Sequence, residues 1–398
     1  MTDLKERTAA FIQAHGKTYQ DIALAIHAKP EVSNYEFFAS ETLSTQLKNE
    51  GFEIELPAAH QRTGFAAYYR SGKPGPTVAF LAEYDALAGL GHGCGHNIFG
   101  ATSSLAAAAL KSIIDETGGE VRLYGTPGEE GGEEGSSKGS FVRDGYFKDV
   151  DFALCVHPGS SPKNKLSSRN LANAAMEIEF WGKPAHAAAD PYHGLNALDA
   201  QILVYNAISM LRQQVTTDVR MHGIIVDGGT APNVIPEYTR SRYYLRAAAK
   251  NTALDVVSKV EKIVEGAALQ TGTKSSMKPY ANFVENMVLT PKLDQVWADN
   301  LKKLGYDSEP QSWEVQPGSS DVGNVSQVVP VIQPSLSITD VPIAGHSQDM
   351  VAASCSKKGM ESILIGATAL VWTAIDVMLD SGLLAEIKEE HAYNVEHQ

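Results

Sequence analysis

The chain has 398 residues, a length that predicts two or three domains at roughly 100–200 residues each. Apolar residues make up 43% and charged residues 20% of the chain, which excludes a disordered or collagen-like protein. The 33 Lys and Arg against 47 Asp and Glu give a formal net charge of −14. An acidic surface repels phosphate backbones, so we expect no nucleic-acid partner.

The cysteines and the apolar stretches predict the compartment. Cys94, Cys155 and Cys355 cannot all pair with one another, which favours a reducing environment. The N-terminal segment is polar and lacks the apolar core of a secretory signal. The apolar stretch near the C-terminus carries Asp376 and two threonines, which favours a buried core helix over a membrane span. We therefore expect a soluble, cytoplasmic protein with no membrane partner.

Helical and strand patterns alternate in the first 160 residues. The predicted helices span 2–29, 37–50, 99–115 and 140–146, and the predicted strands span 52–56, 64–70, 77–85, 121–127 and 152–159. This alternation favours an α/β domain with a mostly parallel central sheet flanked by helices. Ligands bind such sheets at the carboxyl ends of the strands. The residues whose side chains can bind metal or transfer protons lie at those ends: Glu83, Asp85, Glu129, Glu130 and His157.

The pattern changes near residue 172. The segment NAAMEIEFWG, residues 173–182, alternates like a half-exposed strand, and a helix, two strands and a second helix follow up to residue 269. This order predicts a smaller inserted ferredoxin-like α+β domain. From about residue 290 the α/β pattern resumes and ends in a long helix, 357–379. We predict a discontinuous catalytic domain, 1–171 and 287–398, interrupted by an insert, 172–286.

The segment GLGHGCGHN, residues 89–97, carries alternating His92, Cys94 and His96. If the chain is extended there, all three side chains face one side. A thiolate and an imidazole two residues apart can then bind one ion, and the thiolate favours zinc, with manganese as the other candidate. The alternative is a Gly-rich turn before a helix, with an inert buried cysteine.

A second segment, GTPGEEGG, places Glu129 and Glu130 in a Gly-rich loop after a buried strand. One carboxylate can bind metal while the other takes a proton from water. The alternative is a solvated acidic loop. His157 and His346 stand in two further loops, and ligands from so many separate elements favour a two-metal hydrolase. A thiol enzyme using Cys94 is a competing hypothesis, but it leaves the paired glutamates without a role.

These segments occur among motifs whose order resembles a known family. The motifs are AEYDALAGLGHGCGHN (82–97), GTPGEEGG (125–132), VHPG (156–159), GKPAHAA (182–188), APNVIPE (231–237), GSSDVGNVSQVVP (318–330) and AGHSQD (344–349). They resemble the dinuclear metal-dependent peptidases and amidohydrolases, which include aminoacylases, carboxypeptidase G, carnosinases and auxin-conjugate hydrolases. The most similar branch contains p-aminobenzoyl-glutamate hydrolase and proteins like the β-alanyl-lysine dipeptidase.

The resemblance implies a zinc-exopeptidase-like catalytic domain with two Zn²⁺ or Mn²⁺ ions per subunit. It implies these metal ligands: Cys94, His96, Glu130, His157 and His346. It implies that Glu129 is the general base. It also implies that the insert is a lid and dimerisation domain, whose His186 enters the active site of the partner in a homodimer. Asn233 and Arg246 match substrate-contacting positions.

One departure from the family pattern lies at Glu83-Tyr84-Asp85, where many members carry a metal-binding His-x-Asp. We therefore expect Asp85 to orient a ligand without binding metal. The family pattern also gives His92 a supporting role, and it leaves the role of Glu83 open.

The predicted function is metal-dependent hydrolysis of the amide bond of an N-acyl, N-aroyl or aminoacyl amino acid. Two alternatives remain: a dipeptidase or carboxypeptidase acting on small peptides, and a non-catalytic metal- or ligand-binding protein. The shared motifs do not separate the first alternative from the main prediction. Retention of Glu129 beside every candidate ligand argues against the second.

Overall fold

The structure is a computed structural model that describes residues 2–398. It divides into two compact units. The first unit comprises the residues up to Arg169, then Met287–Gln316 and Ser320–Gln398. The second comprises Asn170–Asn286 and Pro317–Ser319.

Three consecutive segments supply the helices and strands. The first contains α1 (Thr2–Ala28), α2 (Phe37–Asn49), β1 (Glu53–Glu55), β2 (Phe65–Arg70), β3 (Thr77–Ala82), α3 (His96–Thr117), β4 (Glu120–Gly125), α4 (Lys138–Arg143), β5 (Phe152–Leu154), β6 (His157–Gly159) and β7 (Arg169–Asn170). The second contains β8 (Ala172–Trp181), α5 (Ala197–Leu211), β9 (Arg220–Asp227), β10 (Tyr238–Ala247), α6 (Lys250–Thr271) and β11 (Lys274–Pro279). The third contains α7 (Pro291–Lys303), β12 (Val315–Gln316), α8 (Val322–Ser326), β13 (Val331–Ile332), β14 (Ser335–Ser337), α9 (Gln348–Ala353), α10 (Lys357–Leu379) and α11 (Ser381–Glu396).

The first unit is built on a six-stranded sheet in the order β1-β2-β4-β3-β5-β13. The pairs from β4 to β13 are parallel, whereas β2 pairs antiparallel with both β1 and β4. Along β3, Val78 and Phe80 belong to one core cluster and Ala79 and Leu81 to another. Both faces of this strand are therefore covered, as in other α/β sheets. The predicted mostly parallel sheet flanked by helices is confirmed.

Helix α3 packs closely against the end of β3. A Cβ atom built on Gly100 lies 2.7 Å from the carbonyl oxygen of Glu83 and 3.1 Å from Leu43 Cδ1. Glycine at this position therefore lets the helix backbone approach the strand end. Since His96 is the first residue of α3, this approach carries the histidine towards the residues that follow β3.

Two helices among residues 2–398, α3 and α10, are long and apolar enough to span a membrane by length and composition alone. In the structure, 89% of the most apolar window of α3 and 72% of that of α10 are buried. Both helices contribute to the same core cluster of the first unit. They are packed as core helices, as the sequence predicts for the apolar stretch near the C-terminus.

The second unit is a four-stranded antiparallel sheet in the order β11-β8-β10-β9, with α5 and α6 packed against it. The chain order β-α-β-β-α-β is that of a ferredoxin-like fold. Strand β11 was not predicted, because its sequence KSSMKP lacks an apolar pattern. The expectation of a half-exposed β8 is wrong. This strand is buried up to Phe180 because it lies between β10 and β11, and its two glutamates are covered by ion pairs.

Replacing Gly100 with Ala is expected to destabilise the first unit by about 1–3 kcal/mol, because the added methyl group overlaps the backbone of Glu83. Thermal unfolding measures the change as a lower Tm. Gly266→Ala is the matched control, because Gly266 lies in α6 and a Cβ atom built there has no neighbour within 4 Å. Replacing this helix glycine with alanine should raise the free energy of unfolding by up to about 1 kcal/mol. Equal Tm changes in the two variants would contradict the close packing of α3.

Candidate metal centre

The candidate site lies at the carboxyl edge of the central sheet. Because β3, β4 and β5 are parallel, the segments that follow them emerge at the same edge. Glu83 and Asp85 follow β3, Glu129 and Glu130 follow β4, and His157 begins β6 just after β5.

The segment before α3 is a turn, so the extended conformation considered for His92, Cys94 and His96 is wrong. Gly91 and Gly95 have φ angles of 99° and 81°, which the segment can adopt because glycine lacks a Cβ atom. The turn separates His92 from Cys94 and His96, which stay close together. His92 is buried with its ring centroid 6.0 Å from that of His27, and it belongs to none of the ligand clusters described below. Burial lowers the pKa of His92 to about 3.

Two clusters of potential metal ligands share Cys94. The first contains Cys94, His96 and His157, and the second contains Cys94, Glu130 and His346. Within each cluster the ligand atoms lie within 4.8 Å of one another. Cys94 Sγ lies 3.4 Å from His157 Nε2, and Glu130 Oε2 lies 3.4 Å from His346 Nε2. The structure thus brings together all five residues to which the family resemblance gives a ligand role.

His346 reaches this site from the loop before α9. Its backbone N–H donates to the carbonyl oxygen of Gly93 at 2.9 Å, which ties the loop to the residue before Cys94. Its φ angle is 53°, in the left-handed region that is uncommon for residues other than glycine. The side chain remains 57% exposed, so this ligand position is open to solvent.

Hydrogen bonds set which ring nitrogen of His96 and of His157 carries the hydrogen when the ring is neutral. His96 Nδ1 lies 2.9 Å from Asp85 Oδ1, and His157 Nδ1 lies 2.8 Å from the carbonyl oxygen of Pro158. Both partners are acceptors, so each Nδ1 carries the hydrogen and each Nε2 keeps a lone pair. Burial also lowers the pKa of His157 to about 4, which keeps the ring neutral, as a metal ligand must be.

The polar atoms of the site fit a bound cation. His96 Nε2 and Glu130 Oε1 are buried and have no hydrogen-bond partner among residues 2–398, a costly state unless a cation or proton satisfies them. Burial disfavours charge on His96, yet the neighbouring Cys94 and Asp85 raise its pKa well above the usual value. This position therefore attracts positive charge. The mixture of sulfur, nitrogen and oxygen donors suits zinc, and also manganese at the oxygen-rich end.

The environment of Cys94 does not favour a thiol nucleophile. Burial raises the pKa of its thiol to about 12, whereas reactive cysteines have a lowered pKa. A bound divalent cation deprotonates a coordinating thiol. The sulfur is therefore suited to bind metal and not to attack a substrate.

Glu129 stands beside the ligand clusters. Its side chain is 12% exposed, and Oε2 lies 3.9 Å from His96 Nε2. Burial and the nearby charges of Glu83 and Glu130 raise the pKa of Glu129 well above that of a free glutamate. A carboxylate with a raised pKa is a stronger base, the property needed to take a proton from water.

Two buried carboxylates hold the loop that carries Glu129 and Glu130. Asp85 Oδ2 accepts from the backbone N–H of Glu130 at 2.9 Å, while its Oδ1 faces His96. Glu36 Oε1 accepts from the backbone N–H of Gly128 at 3.0 Å, and its Oε2 accepts from the Thr63 hydroxyl at 2.7 Å. Glu36 was not predicted, because a single glutamate at the start of a helix carries no functional signal.

A buried ion network next to His96 was also not predicted from the sequence. Lys138 Nζ lies 2.8 Å from Glu83 Oε1 and 2.6 Å from Asp321 Oδ1, and all three side chains are fully buried. The backbone N–H of Lys138 donates to the other oxygen of Asp321. A lysine in a Gly- and Ser-rich loop is typical of a solvated surface, so only the tertiary structure reveals this cation.

The remaining predicted residues belong to the second unit. His186 is exposed, and its Nδ1 accepts from the backbone N–H groups of Ala188 and Ala189 at 3.2 and 3.0 Å. The neutral ring therefore carries its hydrogen on Nε2, which is free to donate. Asn233 lies beside this loop, since its carbonyl oxygen accepts from Ala187.

Arg246 lies at the opposite end of the sheet of the second unit. Trp181, shortly before the His186 loop, pairs with Tyr238 at the start of β10. Arg246 is eight residues further along this strand, a rise of about 26 Å. Its Nη1 donates to Ser319 Oγ at 3.1 Å. The second unit therefore does not bring Arg246 together with His186 and Asn233.

Comparisons with known proteins identify the family. Residues 167–272 match the M20 model described as a peptidase dimerisation domain. An Xaa-Arg dipeptidase of Mus musculus is 35% identical, over 97% of this chain and 92% of its own length. A p-aminobenzoyl-glutamate hydrolase subunit of Escherichia coli K12 is 31% identical, over 96% of this chain and 93% of its own.

The chain belongs to the M20 peptidase family. It is therefore a metal-dependent hydrolase of the amidohydrolase and metallopeptidase class, as the motifs predict. The fold agrees with solved structures of this family. A dinuclear metal binding peptidase from Bacillus subtilis covers 90% of the chain, and 99% of its own, with a TM-score of 0.57 and 19% identity. An aminobenzoyl-glutamate utilization protein from Klebsiella pneumoniae covers 91%, and 97% of its own, with a TM-score of 0.72 and 17% identity.

Replacing Asp85 with Asn is expected to weaken metal binding by about 10–100-fold, because the variant loses the carboxylate that orients His96 and the Glu130 loop. Competition with a chromophoric chelator measures the affinity. Asp340→Asn is the control, since that side chain is 90% exposed, and its affinity should remain that of the wild type. An Asp85→Asn variant with unchanged affinity would show that this carboxylate does not support the site.

Proposed function

We propose that this M20 family member hydrolyses the amide bond between an acyl, aroyl or aminoacyl group and a free amino acid, at a two-metal site. The observation that carries the proposal is the pair of ligand clusters sharing Cys94, with the partly exposed Glu129 beside them. A site that only stored or transported metal would have no use for a glutamate with a raised pKa next to its ligands.

The proposed site holds two divalent cations. His96 and His157 would hold one ion, Glu130 and His346 would hold the other, and Cys94 belongs to both ligand clusters. The thiolate favours Zn²⁺, and Mn²⁺ is the second candidate. When bound, the ions polarise the substrate carbonyl and lower the pKa of the attacking water.

The side chains of the chain perform the proton transfers. Glu129 accepts a proton from the attacking water as the water oxygen bonds to the carbonyl carbon. His186 donates from Nε2 to the oxyanion that develops on the carbonyl oxygen. Glu129 then delivers its proton to the amide nitrogen as the C–N bond breaks, which releases a carboxylic acid and a free amine. Asn233, which lies beside His186, binds the remainder of the substrate. Arg246, about 26 Å away along the sheet of the same chain, binds it from the other subunit of the dimer.

The names of the relatives narrow the substrate class. One relative is named for dipeptides that end in Arg and another for p-aminobenzoyl-glutamate. Both names describe an amide whose nitrogen belongs to an α-amino acid. We take this amino-acid half as the shared part of the substrate for this chain. The other half of the substrate is the acyl, aroyl or aminoacyl group. The human and mouse dipeptidase relatives, at 32% and 35% identity, favour an aminoacyl group there as the second candidate, after an acyl or aroyl group.

Residues 172–286, which form most of the second unit, are the proposed lid and dimerisation domain, and residues 1–171 with 287–398 form the proposed catalytic domain. Strand β9 lies at the edge of its sheet, and it exposes Ile224 and Val226 by 64% and 41%. The neighbouring α5 exposes Tyr205 and Met210 by 44% and 73%. An apolar edge strand of this kind is suited to pair with the same strand of a second copy. In the resulting homodimer, His186 enters the active site of the partner subunit.

The proposed location is the cytoplasm. All three cysteines are free in the structure, and a reducing compartment preserves the thiol of Cys94 as a metal ligand.

Glu129→Gln is expected to lower kcat by at least about 100-fold while the variant keeps its metal, because the amide cannot accept the proton of water. The assay is release of free amine from p-aminobenzoyl-glutamate, N-acetyl amino acids and dipeptides ending in Arg or Lys, with added Zn²⁺ or Mn²⁺ and with chelator. Glu134→Gln, in the same loop but 61% exposed, is the matched control and should retain wild-type activity.

Activity that survives in Glu129→Gln would show that the base is another residue. Turnover that is insensitive to chelator would exclude the two-metal mechanism. Metal-loaded wild-type protein that releases no amine from any of these substrates would leave the fold intact and contradict the proposed substrate class.

Mixing His186→Ala subunits with Glu129→Gln subunits is expected to restore activity that neither variant has alone, because each heterodimer then contains one site with both residues intact. About a quarter of the wild-type rate is expected from random mixing of subunits, since half of the dimers are mixed and each has one complete site. Native mass spectrometry verifies that the mixed dimers have formed. Mixed dimers without activity would rule out the contribution of His186 to the partner's site.

A further inference from the structure

Glu83 connects the buried lysine to the metal site. Its Oε1 lies 2.8 Å from Lys138 Nζ and its Oε2 lies 3.2 Å from His96 Nε2, with all three side chains fully buried. The two oxygens of one carboxylate thus face a fixed cation on one side and a candidate metal ligand on the other.

The contact between Glu83 and His96 requires a positive charge between the two atoms. His96 Nδ1 faces two acceptors, the side chain and the carbonyl oxygen of Asp85, at 2.9 and 3.2 Å. The hydrogen of the neutral ring therefore lies on Nδ1, and Nε2 presents a lone pair to Glu83 Oε2. A lone pair and a carboxylate oxygen at this distance repel each other in a buried site unless a proton or a metal ion lies between them, so the pair binds a proton in the metal-free protein and offers the same two atoms to a metal ion.

A third cluster of ligand atoms includes this pair. Glu83, His96 and Glu129 offer atoms that lie within 4.8 Å of one another. His96 is also a member of the cluster with Cys94 and His157. Cys94, His157 and Glu83 would therefore all be available to an ion held by His96 Nε2.

We propose that Glu83 is a further ligand of the metal ion that His96 binds, and that Lys138, anchored by Asp321, holds it in the ligating position. This inference rests on the proposed two-metal function, and it adds an oxygen donor to the Cys94, His96 and His157 set. Sulfur, nitrogen and oxygen donors together complete a four-coordinate zinc site. Lys138 is a positioning residue in this arrangement, because it acts on the metal only through Glu83.

The geometry of Lys138 suits that positioning role. Its Nζ binds one oxygen each of Glu83 and Asp321, and its backbone N–H binds the second oxygen of Asp321. Asp321 therefore fixes the lysine at two points, which leaves Glu83 Oε2 as the carboxylate oxygen directed at His96. Without Lys138, two fully buried carboxylates would face each other with no cation between them, which is strongly unfavourable.

The test measures metal affinity without substrate. Zn²⁺ is titrated into the metal-free protein against a competing chelator, and Tm is measured in chelator. In Glu83→Gln, we expect one of the two sites of the wild type to weaken by at least tenfold, because an amide oxygen binds zinc poorly compared with a carboxylate. Lys138→Met should weaken the same site, since Glu83 loses its anchor.

Glu177→Gln is the matched control. Glu177 is also a buried carboxylate that pairs with cations, since its side chain is 7% exposed and lies 2.9 Å from Arg242, but it belongs to the second unit. We expect this variant to lower Tm without changing either zinc affinity. If Glu83 serves only as a counter-ion for Lys138, then Glu83→Gln will behave in the same way, and the proposal is overturned.

A crystal structure of the zinc-loaded wild type keeps the test decisive even if the variants do not fold. The proposal predicts Glu83 Oε2 at about 2.0–2.2 Å from the ion that His96 binds. An ion bound to His96 with Glu83 clearly beyond coordination distance overturns it. These readouts do not depend on turnover, so a failure of the proposed hydrolase activity leaves them interpretable.

Discussion

The carboxylates and the thiol at the carboxyl edge of the central sheet repel one another when they are ionised, and burial increases that repulsion. Asp85, Glu129, Glu130 and Cys94 all lie within this small region. Burial raises the pKa of Cys94, Glu129 and Glu130 above their usual values. Positive charge in the site relieves this repulsion. Divalent cations suit it best, because they bind thiolate, imidazole and carboxylate ligands together.

The rest of the first unit serves to hold these groups in place. The parallel strands β3, β4 and β5 bring the segments that follow them to one edge. Close packing at Gly100 brings α3, and with it His96, against the end of β3. Asp85 and Glu36 then fix the loop of Glu129 and Glu130 through its backbone N–H groups. The ligand side chains are thus held from several independent elements, which reduces the reorganisation needed when metal binds.

The sequence was informative where a motif and a fold rule coincide. Glu129, Glu130 and His157 follow strongly apolar strands, so the rule for the carboxyl ends of parallel strands predicts that they lie together. The conformation at His92, Cys94 and His96 was not predictable from their spacing. Two glycines with positive φ turn the chain there, and His92 is directed into a separate buried position beside His27.

Residues that act through tertiary contacts left no signal in the sequence. Lys138 begins α4 just after a Gly- and Ser-rich segment and is fully buried only because Glu83 and Asp321, distant in the chain, surround it. Strand β11 is polar and forms because β8 offers a free edge for pairing. The buried glutamates of β8 likewise depend on cations from other strands, such as Arg242 and Lys278. In each case a partner from elsewhere in the chain, and not the local sequence pattern, determines the structure that the residues adopt.

A titration of the metal-free protein with Co²⁺, followed by the thiolate-to-cobalt charge-transfer absorption, tests whether two metal ions share Cys94. A shared thiolate gives saturation at two ions per chain, with the charge-transfer band increasing during both binding steps and absent in Cys94→Ser. Saturation at one ion, or a band that increases in only one of two steps, would contradict the shared thiolate.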